Sequence, residues 1–184
     1  MNMVLAYNTA NTKPPKSWND LLDPQYKGKI GMPSVSSGTS YTFVGDLASN
    51  QNFGWTFFEK MKANGGVQVK ANNDAVQKLA SGEFTLTVVL DYMIKAMKDQ
   101  GSPVDYVIPQ EGAVMVVSPI ALVEGGKNAD GGKKFLDYVL SKEGQELLTK
   151  QNVVSVRSDI TPPSGVPSIK DRYKSFSIQR CLFE

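Results

Sequence analysis

Histidine is absent from the 184 residues, and cysteine occurs once, at Cys181. The first absence removes the commonest general base, the commonest transition-metal ligand and every Ser–His or Cys–His nucleophile pair. The second excludes an intrachain disulfide framework. Strong charge of either sign is missing too. Lys and Arg number 20 against 18 Asp and Glu, a net +2; the lysines are scattered and no basic run is interleaved with aromatics. Composition therefore makes no broad electrostatic case for nucleic acid or membrane. The longest apolar run, Ala113 to Val123, contains Ser118 and Pro119 and is too short to span a bilayer. Met1 to Tyr7 has neither the basic start nor the long apolar stretch of a signal peptide. Neither a G-x-G-x-x-G nor a glycine-rich loop ending in Gly-Lys-Ser/Thr occurs.

What is present is a globular composition, 41% hydrophobic and 21% charged, in a chain long enough for one sizeable core or two small lobes. The most informative stretch runs from Lys27 to Phe43. Ile30 and Met32 read as a short strand ended by Pro33. Ser36, Ser37, Thr39 and Ser40 surround Gly38, and from Tyr41 the apolar positions Val44, Leu47 and Ala48 follow at helical spacing. A helix start offers unpartnered N–H groups and the positive end of its dipole. With hydroxyls beside it and a glycine that permits close approach, this is the chemistry of a small-anion site. The same residues also fit an ordinary N-cap.

Strand and helix patterns alternate along most of the chain, which points to an α/β fold. Val4 to Tyr7 reads as an opening strand, and Ser17 to Pro24 as a short helix with Ser17 and Asp20 in a capping box. Phe53 to Met61 is an aromatic-rich helix, Val67 to Lys70 a strand, Asn72 onward a helix with Val76 and Leu79. Phe84 to Leu90 is an increasingly buried strand leading through Asp91-Tyr92 into a helix, and Val104 to Pro109 is another strand. Ala113 to Val123 is expected to be a second long apolar strand broken near Pro119, Asn128 to Leu140 an amphipathic helix, and Ser141 the cap of the next. After Asn152 the chain becomes rich in Ser, Pro and charge.

In their order and spacing these motifs resemble the solute-binding proteins of ABC importers, in the branch that handles ferric ion, polyamines and phosphonates. The resemblance rests on Trp18 to Pro24, Tyr26 to Ile30 and Ser36-Ser37-Gly38-Thr39. It continues through Leu79 to Glu83, Val107 to Gly112, Phe135 to Leu140 and Ser141 to Gln145. It implies a type II periplasmic-binding-protein fold, with a mixed sheet flanked by helices in each lobe and ligand held between lobes. It further implies a crossing strand in residues 1–9, a nearly complete second lobe in 10–105, a second crossing strand and a partial first-lobe segment in 106–160, and an unmatched tail in 161–184. The resemblance implies, too, that most of the first lobe has no counterpart in these residues.

The function implied is non-covalent capture of a small polar solute, most readily a phosphate- or phosphonate-like anion, with no reaction, cofactor or resident metal. The partners implied are that solute and ABC permease subunits, without nucleic acid or membrane insertion, in the periplasm or at the extracellular surface. Ferric ion or a polyamine is the alternative cargo. An enzyme of the same bilobal fold or a sensor module is the alternative class. A tetrapyrrole-synthesis enzyme of that fold carries its cofactor on a cysteine, for which Cys181 is badly placed.

By that resemblance the turn Ser36, Ser37, Gly38 and Thr39 presents donors to the ligand. Asn72 and Asn73 match a position where an amide side chain faces the cleft, or serve as an N-cap. Tyr92 matches a ligand tyrosine of the ferric-binding members, or is a half-buried core residue; Met93 follows it where those members have a second tyrosine, so one tyrosine makes a poor ferric site. Asp91 meets an ammonium group or caps its helix, and Glu111 reaches a ligand amino group or is a solvated turn carboxylate. Finally, an uncovered apolar strand at Ala113 to Val123 beside Phe135, Leu136, Val139 and Leu140 favours pairing of two copies as a homodimer.

Overall fold

The computed structural model describes residues 1–166; Cys181 and most of the expected tail lie outside them. Residues 2–116 form one compact unit, and the described residues from Val117 onward belong to a second.

The first unit is built on a six-stranded sheet. Its strands are β1 (Asn2–Asn8), β2 (Ile30–Pro33), β3 (Val67–Val69), β4 (Leu86–Leu90), β5 (Val104–Val107) and β6 (Val114–Met115). The order is β3-β2-β4-β1-β5, with β6 also on β1. β2 is parallel to β3 and β4, whereas β1 runs antiparallel to β4, β5 and β6. Every residue of β1 is buried, as a central strand covered on both faces requires. All the other strands therefore run one way, and their carboxyl ends lie at the edge where β1 begins.

Helices α1 (Gly38–Ser49), α2 (Gly54–Ala63), α3 (Asn72–Ala80) and α4 (Asp91–Asp99) complete this unit. The apolar stripe of α3, at Ala75, Val76 and Leu79, packs with Ile94 of α4 onto Ala6, Val89 and Val104 of the sheet. A second, aromatic cluster joins the rings of Trp18 and Phe43, 5.0 Å apart, to Phe58, Phe57 and Phe53. Ser17 to Leu22 forms the expected short helix, though of the tighter 3-10 kind, with the Ser17–Asp20 capping box in place.

Two long-range anchors hold the first unit's connections. The Asp91 carboxylate accepts from the Asn2 backbone at 3.2 Å and from its side-chain amide at 2.7 Å. This ties the start of β1 to the start of α4. The Glu111 carboxylate accepts from Ser17 Oγ and, at 3.2 Å, from the Trp18 backbone N–H, while the Trp18 indole donates to the Gly112 carbonyl. The turn between β5 and β6 is thus pinned to the Ser17 helix.

The expected long strand from Ala113 is corrected here. Only Val114 and Met115 pair with a strand, and their partners are Met3 and Asn2 of the same chain. Residues 117–123 are irregular, consistent with Pro119, which has no N–H to give a ladder. Val117 and Val123 are 61% and 76% exposed. Val114 and Met115 thus find their ladder partners within the chain.

In the second unit, α5 (Ala129–Leu140) and α6 (Lys142–Lys150) pack on each other. Asn128 and Ser141 cap them by accepting from Gly131 and Gly144 N–H. The Gln145 side chain holds the following loop through Ser155 Oγ and Val156 N–H. An open groove of about 360 Å³ lies beside Lys142, Glu146, Lys150 and Asp159; Lys142 pairs with Glu146 and Asp159 with Arg157.

Candidate ligand-binding site

Three parallel strands deliver three helix starts to the same edge of the sheet: β2 to α1, β3 to α3 and β4 to α4. In open α/β sheets this carboxyl edge is where ligands bind, because the helix N-termini point their free N–H groups and dipoles there.

At α1, Ser37 is the N-cap by backbone geometry but makes no side-chain cap bond. Its hydroxyl instead lies 3.2 Å from Thr39 Oγ1. The Asn72 amide, at the first position of α3, donates to Thr39 Oγ1 at 3.0 Å and reaches Ser37 Oγ at 3.5 Å. Asn72 therefore bridges the starts of α1 and α3. Because the cap hydroxyl is occupied in this way, the Gly38, Thr39 and Ser40 N–H groups have no partner among the described residues. The N–H groups of Asn72 and Asn73 are likewise unpartnered among them. Two polar atoms of this region are buried and unpaired, Ser40 Oγ and Asn72 Oδ1, and an unpaired buried polar group normally costs about 1–3 kcal/mol.

Gly38 is exposed, and a Cβ placed on it would meet nothing within 4 Å. Open space thus lies beside Gly38, the Thr39 residue is half-buried, and Ser40 is fully buried. Ser37 departs from expectation in one respect: its own N–H donates to the Ser34 carbonyl at 2.9 Å, so the donors left for a ligand begin at Gly38. Ser36 is exposed, its hydroxyl 2.9 Å from that of Ser34. Further along α1, Asp46 Oδ2 is buried without a hydrogen bond, and burial pushes its carboxyl above the ordinary 3.8.

The other sequence-predicted residues fall differently. Asn73 is exposed. Tyr92, on the first turn of α4, is half-buried, with its hydroxyl unbonded among the described residues. Asp91 is 5% exposed, and besides Asn2 its carboxylate accepts from the Tyr92 N–H at 2.9 Å. Glu111 is engaged by Ser17 and Trp18. Both carboxylates thus serve contacts within the chain that span 89 and 94 residues, which local pattern could not reveal. Ser40, the second unpaired buried group, was visible in sequence only as part of the hydroxyl-rich turn. Among the described residues no three His, Cys, Asp or Glu side chains gather as a metal-ligand set, and no helix is long and apolar enough to cross a membrane.

Comparison with known proteins agrees with this architecture. An uncharacterised protein of Haemophilus influenzae is 33% identical over 74% of this chain and 40% of its own length. A sulfate-binding protein of Synechocystis is 26% identical over 86% of this chain and 49% of its own. A Salmonella typhimurium periplasmic protein, provisionally named for binding 2-aminoethylphosphonate, is 26% identical over 80% and 47%. The relatives named for a role are named for binding sulfate, 2-aminoethylphosphonate or polyamines, or for iron uptake, and not as enzymes.

Among solved structures, the periplasmic binding protein AfuA of Actinobacillus pleuropneumoniae, described with fructose 6-phosphate bound, is 29% identical. It superposes with a TM-score of 0.72 over 82% of this chain and 50% of its own. A two-component-system signalling protein, 24% identical with a TM-score of 0.81 over 94% of this chain and 60% of its own, shares the fold. The chain spans about half the length of the curated relatives it matches. The fold is the type II periplasmic-binding-protein fold. With residues 1–175 matching the family model for bacterial extracellular solute-binding proteins, the chain belongs to that family.

Proposed function

We propose that this chain belongs to the solute-binding component of an ABC importer and that its first unit captures a small oxyanion, a phosphate or phosphonate group, at the carboxyl edge of its sheet. The single observation behind this reading is the uncapped start of α1. Gly38, Thr39 and Ser40 keep free N–H groups because the Ser37 and Thr39 hydroxyls are taken up with Asn72. An oxyanion is the ligand that satisfies several convergent N–H donors and the positive end of a helix dipole together. The groups that bridge the two helix starts, Ser37, Thr39 and Asn72, are neutral, so they recognise a ligand by hydrogen bonds, while the exposed Lys70 lies two residues before Asn72. The binding component would act outside the cytoplasmic membrane, in keeping with the periplasmic naming of relatives, and deliver the solute to permease subunits within that membrane.

The alternatives have less to work with. A polyamine needs free carboxylates, and those of Asp91 and Glu111 are already hydrogen-bonded within the chain. Ferric ion needs several anionic oxygens, and Tyr92 would bring one.

Titration calorimetry of the protein against inorganic phosphate, 2-aminoethylphosphonate, a sugar phosphate, putrescine and ferric citrate tests the reading. Saturable heat with one or more of the phosphorus oxyanions, and none with putrescine or ferric ion, is expected. Binding of putrescine or ferric ion in preference to all the oxyanions would overturn it.

A further inference from the structure

The lysines that look scattered in sequence are brought together by the fold at the opposite edge of the sheet, where β2 and β3 begin. Lys27 and Lys29 precede β2, and Lys60 and Lys62 lie in the last turn of α2. The two segments are joined by the Gly28 N–H donating to the Asn64 carbonyl at 3.0 Å. The Asn64 amide also reaches back to the Leu21 and Asp23 carbonyls. Lys13 adjoins the same place through Thr12, whose hydroxyl lies 2.9 Å from that of Tyr26. All five lysines are exposed, and none forms an ion pair among the described residues.

Two carboxylates without a lysine partner among the described residues share the region, and a third, Glu83, just before the strand that pairs with β2, is matched by Lys78. Asp23 is turned onto Gln25, accepting from its N–H at 2.9 Å and its side-chain amide at 2.6 Å, and Glu59 is exposed on α2. This one face therefore carries more positive charge than the net +2 of the whole chain. Trp55 stands on the exposed face of α2, 66% exposed, and seven residues before Lys62 it shares that lysine's stripe. Its neighbour inside the fold is Phe58, at a ring separation of 6.0 Å. The only other tryptophan, Trp18, is fully buried.

We propose that this face adsorbs reversibly to an anionic phospholipid surface, with the lysines supplying long-range attraction and Trp55 seating in the headgroup layer. Flexible, unpaired lysines act as point charges that suit a fluid array of phosphates and do not need a fixed partner geometry. An amphipathic indole two turns along the same stripe of α2 is the side chain that favours the lipid–water interface. The surface lies at the sheet edge opposite the oxyanion site, so the two can work independently.

Vesicle flotation tests this, using phosphatidylcholine vesicles with and without phosphatidylglycerol at low and high salt. The protein should float with phosphatidylglycerol vesicles alone, release at high salt, and show a blue-shifted tryptophan emission that Trp55→Ala abolishes. Lys27→Glu combined with Lys62→Glu should weaken partitioning about ten-fold or more, with phosphate binding unchanged. Lys13→Glu combined with Lys29→Glu provides a second, independent pair should the first disturb folding. Absence of flotation, equal flotation with phosphatidylcholine alone, or unchanged flotation of both folded double variants would overturn the proposal. So would retention on immobilised polyglutamate without vesicle binding, which would assign the face to an acidic protein.

Discussion

The two edges of the sheet in residues 2–116 handle charge in opposite ways. The carboxyl edge, at the starts of α1 and α3, has free N–H groups, hydroxyls and an amide, with no lysine among the bridging groups. The amino edge has exposed lysines around well-capped backbone. The difference follows from strand direction. Parallel strands followed by helices place every helix N-terminus at one edge, where N–H groups cannot all be satisfied within the helix. The other edge receives helix C-termini, where lysine is favoured by the dipole. A neutral, directional donor set suits one small ligand held at fixed distance; a diffuse cationic face suits a surface.

The comparison can be broken most severely at the contact that fixes the carboxyl edge. Asp91→Ala leaves the Asn2 amide and backbone N–H without their acceptor, and should cost about 3 kcal/mol in urea unfolding. The same variant, studied where it is still folded, should bind phosphate as the parent does. A large loss of affinity without loss of stability would instead make Asp91 a ligand residue.

Gly38→Val acts on the other property of that edge. Nothing in the fold opposes the new Cβ, so stability should hold while the side chain fills the space beside Gly38. Affinity for the oxyanion should fall about ten-fold or more, equivalent to about 1.4 kcal/mol. Undiminished binding measured by calorimetry would place the ligand elsewhere.

A smaller effect is expected at Asp46. Burial raises its carboxyl above 3.8 in the folded state, so the folded form holds its proton over a pH range in which the unfolded form has lost it. Stability contributed by this group is therefore greatest below 3.8 and declines as pH rises through the folded value. Asp46→Asn should raise the thermal midpoint at neutral pH, with the gain vanishing below pH 3.8. A gain that persists at the lower pH would show that charge is not its cause. Smallest of all, the lysine-to-glutamate pairs at the amino edge should change stability by no more than about 0.5 kcal/mol, as differential scanning would measure.

Much of this was legible in sequence where the signal is local. The Ser17–Asp20 capping box, the cap at Ser141 and the hydroxyl-rich start of α1 are patterns within a few residues, and each forms an element end. Pattern failed where long-range contacts decide. Apolar composition suggested a strand through Val123, but the ladder ends at Met115, with Pro119 downstream. The hydrogen bonds of Glu111 to Ser17 and of Asp91 to Asn2 join residues far apart in the chain, so both carboxylates look available until the fold is known. Asn72 could be an N-cap or a cleft residue in sequence; in space it bridges Ser37 and Thr39. The lysines of the amino edge are invisible as a group because they come from three separate segments.

The most direct measurement is a titration of the isotopically labelled protein with inorganic phosphate, followed through backbone amide resonances. The account predicts saturable downfield shifts at Gly38, Thr39 and Ser40, smaller changes at Asn72 and Asn73, and little change at Lys27, Lys29, Lys60 and Lys62. Shifts centred on the lysines, with Gly38 to Ser40 unmoved, would contradict it.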